Sequence, residues 1–220
     1  MKMKTTELFS LEHTIAEPLL SKCDYPWKAL GEISAFIMEL GAKLDKEVFD
    51  EVEPGVWIAK SATVAKSASI CPPAIIDEGA TVRHCAFIRG GVIVGKRSVV
   101  GNSTELKNAI VFDSVEIPHY NYVGDSVLGY HSHLGAGAIT SNVKSDRTLV
   151  SVRVGEVKID TGLKKFGAMV GDYTEVGCNS VLCPGSVIGK CCVVYPLSMV
   201  RGYIPEGHIF KSADNIVKKG

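Results

Sequence analysis

From Ile58 onward an apolar residue returns at every sixth position: Ile58, Val64, Ile70, Ile76, Val82, Ile88, Val94, Val100, Leu106 and Phe112. A second run keeps the same step from Val170 through Val176, Leu182, Ile188 and Val194 to Val200. Four residues after each apolar position the companion is mostly small or β-branched, as at Ala62, Ala68, Ala74, Ala80, Ala86, Ser98 and Thr104. An amphipathic helix would repeat at 3.6 and a half-buried strand at two, so neither fits. A short strand followed by a corner, three times per turn, does fit. The large residue points inward and the small one occupies the corner. Coils of about eighteen residues then stack at the strand spacing of about 4.8 Å. The pattern predicts an all-β parallel β-helix of hexapeptide repeats over 55–203, roughly six or seven coils and on the order of 30 Å long.

The flanks depart from this period. Residues 1–54 read as a helical segment, in which Leu30, Ile33, Ile37, Leu40 and Leu44 recur at helical spacing after Asp24 and Pro26. This helix is expected beside the first coils, capping the open end of the solenoid. Residues 142–167 leave the six-residue step, and the alternating "TLVSVRVGEVKID" predicts a hairpin thrown out from the prism as an inserted arm. Lys144, Arg147, Arg153, Lys158, Lys164 and Lys165 outnumber Asp146, Glu156 and Asp160 there. The arm reads either as a solvated hairpin or as a device reaching over a neighbouring subunit to meet phosphate groups. Residues 204–220 form a tail. Between the runs the step falters: after Phe112 the sixth residue is Pro118, and Val123 and Leu128 lie five apart. Two residues are missing in the region of His119, which predicts a shortened corner that re-aims nearby side chains.

Composition narrows the function classes. Formal net charge is zero and hydrophobic residues make up 46%, which disfavours a nucleic-acid partner. No apolar run approaches a membrane span, and no basic stretch leads into an apolar one in the first 30 residues, so a cytoplasmic protein is expected. Seven cysteines without a C-x-x-C pair are read as reduced thiols, mostly small core residues, and no metal site is expected.

The stretch "TELKNAIVFDSVEIPHYNYVGDSVLGYHSHLGAGAITSN" carries E-x-K, H-x-x-Y-x-G-D and G-A-G-x-I-T-x-N in order. It resembles the left-handed β-helix acetyltransferase domain of the bifunctional N-acetylglucosamine-1-phosphate uridyltransferase/glucosamine-1-phosphate acetyltransferase and of related sugar-1-phosphate nucleotidylyltransferases. The resemblance covers roughly 56–203, and it implies a stand-alone form without the nucleotidyltransferase half. It implies His119 as catalytic base, with Arg89 and Lys107 holding the substrate phosphate or sugar. Tyr122, His133, Asn142 and Lys165 would be further substrate contacts. Ala136, Cys178 and Tyr195 would line the coenzyme A groove. The family has asparagine where His133 stands, and usually serine and alanine where Cys178 and Tyr195 stand.

The implied activity is acetyl-CoA-dependent N-acetylation of an amino-sugar phosphate of the glucosamine- or galactosamine-1-phosphate type, without a metal and in a homotrimer. In this chemistry a neutral imidazole removes the ammonium proton as the amine attacks the thioester. A nucleotide-linked amino sugar as acceptor and a non-catalytic scaffold or regulatory relative are the alternatives. A β-helical carbonic anhydrase would need three converging histidines, for which His119, His131 and His133 lack that family's spacing. Arg89 and Lys107, eighteen residues apart, are expected to stack on one edge with His119 turned toward a cleft beside them, and a phosphate between the two cations.

Overall fold

The computed structural model describes residues 2–220 and is a parallel β-solenoid with three faces. The first face stacks Val56–Ala59, Ala74–Ile76, Val92–Val94, the end of Glu105–Val111, the end of Tyr122–Leu128, Ala168–Val170, Ser186–Ile188 and Tyr203–Ile204. The second stacks Ser69–Ile70, Phe87–Ile88, the starts of the same two long strands, Ile139–Thr140, Val181–Leu182 and Met199–Val200. The third runs from Thr63–Val64 to His208–Ser212 in a nine-stranded sheet whose last strand, Asn215–Lys218, is antiparallel. This is the hexapeptide-repeat architecture that the spacing predicts, with eight parallel levels on the third face rather than six or seven. Beyond residue 203 the ladder continues: Ile209 and Phe210 pair with Val193 and Val194. The four-residue step from Val200 to Ile204 hides these last strands from a six-residue count.

Both ends are closed by antiparallel strands. Phe49–Glu53 folds back on Val56–Ala59, and Asn215–Lys218 on His208–Ser212. The helix is therefore not the cap that its sequence suggests. It spans Ile33–Gly41 after a 3₁₀ turn at Pro26–Gly31, and it crosses the first face over Ala74–Ile76, Val92–Val94 and Glu105–Val111. Ile33 and Ile37 are fully buried. Gly41 is required by packing, because a Cβ there would lie 2.3 Å from the Trp57 ring.

The chain ahead of this helix is a strap along the first face. It begins on the last coil, where Lys2 Nζ meets Glu206 Oε2 at 3.0 Å and Tyr203 Oη donates to Lys2 O. It then runs back along the prism: Leu8 O accepts from Asp172 N–H, and His13 O from Asp113 N–H. Phe9 packs on Phe112 at 5.2 Å, and Trp27 lies between Tyr25 at 4.5 Å and Phe166 at 5.7 Å. Under the strap the outward side chains Ile75, Ile93, Ile110, Val127, Met169 and Val187 are buried as fully as the inward ones. The other two faces keep large outward residues in solvent, Phe87 and Met199 among them.

The expected hairpin forms between Ser151–Val154 and Val157–Asp160. It lies down along its own prism, with Val150, Val152 and Phe166 buried. All seven cysteines are free, but only Cys183 and Cys192 are buried. Cys85 and Cys191 sit at outward corners with φ near +60°, so the expectation of core thiols fails for most of them.

If the strap fixes the first face, Trp27→Ala removes the largest buried side chain of that contact, which is 2% exposed. The expected loss is about 3–5 kcal/mol in urea denaturation, and an unchanged midpoint would mean that the strap adds no stability.

Candidate functional site

The faltering repeat has a definite place. Inward residues Leu106 and Val111 are five apart, as are Val123 and Leu128, whereas Ile117 to Val123 keeps the normal six. The shortened corners are therefore at Asn108 and Asp125, on the edge between the second and first faces, and not at His119. Both residues adopt φ of +48°, a left-handed conformation that Asn and Asp tolerate better than other side chains. The parallel register sets Asn108, Asp125 and Asn142 on successive coils. Their side chains form a ladder: Asn108 Nδ2 donates to Asp125 Oδ1 at 2.9 Å, and Asn142 Nδ2 donates to Asp125 Oδ2. Asn108 Nδ2 also donates to Leu30 O at 3.1 Å, which ties the edge to the strap. Lys107 Nζ stands 3.6 Å from Asp125 Oδ2, so a carboxylate only 4% exposed has a cation and two amides around it.

Four expected substrate contacts gather here. Tyr122 Oη accepts from Asn142 Nδ2 at 3.2 Å and lies over Gly124, where a Cβ would meet it at 2.5 Å. Burial pushes the Tyr122 hydroxyl above its ordinary range, with Asp125 and Glu105 adding to the effect, so it remains a protonated phenol. Arg89 stacks one coil from Lys107 as expected. Each cation already has its own carboxylate, however: Arg89 Nη1 is 2.7 Å from Glu105 Oε1, and Lys107 has Asp125. No phosphate between them is needed to offset repulsion. Lys165 is exposed beside this group, and the Phe166 N–H next to it closes the neck of the arm on Asn142 O at 2.9 Å.

His119 belongs to the other edge of the second face. It ends the strand Glu116–His119, and its carbonyl accepts from Gly137 N–H. Asn179 N–H donates to Ala136 O, and Leu197 N–H to Cys178 O, so His119, Ala136 and Cys178 follow one another down consecutive coils. Tyr195 follows on the next level, with Lys211 Nζ 5.8 Å above its ring. Buried Asn121 fixes this corner. Its Oδ1 accepts from His119 N–H at 3.0 Å, and its Nδ2 donates to Gly135 O at 2.8 Å and Ala138 O at 2.9 Å. The backbone of His119 is thus held, while its imidazole is exposed and makes no hydrogen bond among the described residues.

The expected single cluster of His119, Arg89 and Lys107 does not form within one chain. His119 ends one strand before the corner at Tyr120, whereas Gly124 lies in the next strand, at the edge where it pairs with Lys107. His133 lies on the third face in register between Glu116 and Glu175, with Nδ1 2.8 Å from Glu175 Oε2. His131 instead stacks on Tyr173 at 5.6 Å, so the three histidines do not converge. Among the described residues no group of three His, Cys, Asp or Glu side chains could hold a metal ion. Sequence reasoning missed Glu105, Asn108, Asn121 and Asp125. The signal for Asn108 and Asp125 was the pair of five-residue steps, once their phase was set.

Comparison with known proteins places these edges in context. The family model of the GMPPB C-terminal domain matches residues 70–204. The bifunctional protein GlmU of Methanococcus vannielii is 34% identical over 197 residues, covering 88% of this chain and 47% of its own length. The bifunctional sugar-1-phosphate nucleotidylyltransferase/acetyltransferase of Sulfurisphaera tokodaii is 32% identical over 126 residues, covering 57% of this chain and 31% of its own. The chain thus spans half or less of the length of these curated relatives. Among solved structures, the acetyltransferase domain of PglB from Neisseria gonorrhoeae in complex with acetyl coenzyme A aligns with 74% of this chain and 57% of that one, at 16% identity and a TM-score of 0.27.

Asp125→Ala leaves Lys107 and two amides facing a void. It is expected to cost about 3 kcal/mol in urea denaturation, the low end for breaking a buried charge pair. A change below about 0.5 kcal/mol would show that the ladder is solvated rather than structural.

Proposed function

The chain belongs to the family of the GMPPB C-terminal domain, and on that premise we propose that it is an acetyl-CoA-dependent N-acetyltransferase acting on an amino-sugar phosphate. The observation that carries this reading is the pairing of two dissimilar edges. One presents Arg89, Lys107, Tyr122 and Asn142 around Asp125, with Lys165 beside them. These are cations and neutral hydrogen-bonding groups suited to a phosphorylated sugar. The other presents a free imidazole at His119 above a line of Ala136, Cys178 and Tyr195 along which an extended thioester would lie.

The chemistry follows from what each group has left to give. His119, with no partner, takes the proton from the sugar ammonium as nitrogen attacks the thioester carbonyl. The Gly135 and Gly137 N–H groups are spent on Val176 O and His119 O. The Ala136 N–H makes no hydrogen bond among the described residues, and it is the donor that remains for the developing oxyanion. Arg89 and Lys107 position the acceptor through its phosphate, and coenzyme A leaves as the thiol. His133, tethered to Glu175, would present Nε2 in place of the asparagine amide of relatives and so alter the choice of sugar.

Within one chain the two edges are a face apart, which supports a homotrimer with each site shared between prisms. The strap covers the first face, so assembly would use the other two. Their common edge carries Tyr120 and Leu197, which are 66% and 79% exposed, and the second face adds Phe87 and Met199. No helix among the described residues is long and apolar enough to cross a membrane.

The test is release of coenzyme A across a panel of amino-sugar phosphates and nucleotide-linked amino sugars. His119→Ala should fold and assemble normally, since only the backbone of His119 is used structurally, yet should lower turnover by at least about a hundredfold. Arg89→Ala should mainly raise KM. Retained turnover in His119→Ala would move the base elsewhere, with His133 next to be tested. Light scattering should give a trimer at micromolar concentration, and a clean monomer would rule out shared sites.

A further inference from the structure

A cavity of about 600 Å³ lies at neither edge group. It opens between the arm and the prism, farther down the edge that carries Lys107. Continuing the register from Lys107 and Gly124, that edge presents Ser141, Cys183 and Arg201 on successive coils. All three line the cavity. The arm supplies Lys144, Ser151 and Arg153 from the opposite wall. Gly185 and Gly202 fix the distance between the walls. A Cβ on Gly185 would lie 2.8 Å from Ser151 O, and one on Gly202 would lie 2.5 Å from Arg153 O. Their φ values of +81° and +78° also suit glycine.

The charges in this cavity are unbalanced. Its acid, Asp146, is committed: its Oδ1 accepts from Thr148 N–H at 3.0 Å and from Thr148 Oγ1 at 2.8 Å, and Lys144 Nζ stands 3.4 Å from its Oδ2. Arg153 and Arg201 have no carboxylate within ion-pair distance among the described residues. Arg89, by contrast, is already paired with Glu105. Two arginines without carboxylate partners, lining one cavity together with Ser141, Ser145 and Ser151, offer the donors that phosphate oxygens accept from. The cavity has the volume of a small-molecule site and exceeds what inorganic phosphate alone would fill.

We infer that this cavity binds the phosphate groups of a nucleotide, held between Arg153 of the arm and Arg201 of the prism. The inference deepens the acyltransfer reading. Two sources would bring this chemistry to the edge below the acceptor site, the phosphorylated adenosine of coenzyme A or the nucleoside diphosphate of a nucleotide-linked amino sugar. It does not use the line of Cys178 and Tyr195, which runs down the other edge.

Titration calorimetry on the full chain, with coenzyme A, UDP and inorganic phosphate as separate probes, tests it without turnover. At least one nucleotide should bind, and Arg153→Ala/Arg201→Ala should weaken it by at least about tenfold with the thermal transition unchanged. Should that double variant not fold, Arg153→Gln and Arg201→Gln singly should each weaken binding. Tighter binding of coenzyme A identifies the acyl donor as source, and tighter binding of UDP identifies a nucleotide-linked acceptor. Failure of both nucleotides to bind at millimolar concentration, equal affinity for inorganic phosphate, or indifference to both arginines would overturn the inference. Acetyl transfer with arginine-independent binding would sink the cavity alone, whereas arginine-dependent binding without transfer to any amino sugar would sink only the acyltransfer reading.

Discussion

A buried carboxylate demands partners, and much of this molecule is arranged around Asp125. At 4% exposure, a carboxylate left without partners is costly. The partners come from the two neighbouring coils and the strap: Asn108 and Lys107 from one, Asn142 from the other, and Leu30 through Asn108. The two shortened corners, at Asn108 and Asp125, put these groups opposite one another, and Gly124 leaves room for the Tyr122 hydroxyl beside them. The same hydrogen bonds hold the amide of Asn142 and the phenol of Tyr122 still. The patch around Asp125 is held in place by the hydrogen bonds that satisfy its carboxylate.

The strap imposes the second constraint. A bare three-faced prism offers three equivalent surfaces, but here one is lined outward by Ile75, Ile93, Ile110, Val127, Met169 and Val187 and sealed by residues 2–41. Each such side chain contributes on the order of 1.5–3 kcal/mol when removed from water. What remains exposed is asymmetric: the second face with its two dissimilar edges, and the third face with its ladder of Glu116, His133 and Glu175.

The repeat was legible because inward positions in a stacked coil obey one rule, repeated. Its phase was not, because Phe112 and Pro118 sit one residue past the true inward positions Val111 and Ile117, and Phe112 is apolar for a different reason, its contact with Phe9. That one-residue error moved the break from Asn108 and Asp125 to His119. Arg89, Lys107, Tyr122 and Asn142, singled out by their motifs, do lie together. Asp125 stood in the quoted H-x-x-Y-x-G-D stretch yet carried no visible role, because its role is to organise neighbours that only the register reveals. The outward apolar series was also present in the sequence, eighteen or seventeen residues apart through the first coils, but a solenoid gives no reason to expect apolar residues pointing out until a strap is there to cover them.

Solenoids ordinarily grow by adding one coil to the next, since each touches only its neighbours. Lys2 bonds to Glu206 across 204 residues of sequence, and Ser10 to Asp172 across 162. The strap around Lys2 and Ser10 therefore has no docking surface until coils far along the chain have formed. Such long-range closure is slow to find. Once made, it fastens the first coil to the last, so that coils which would otherwise fray singly from either end open together or not at all.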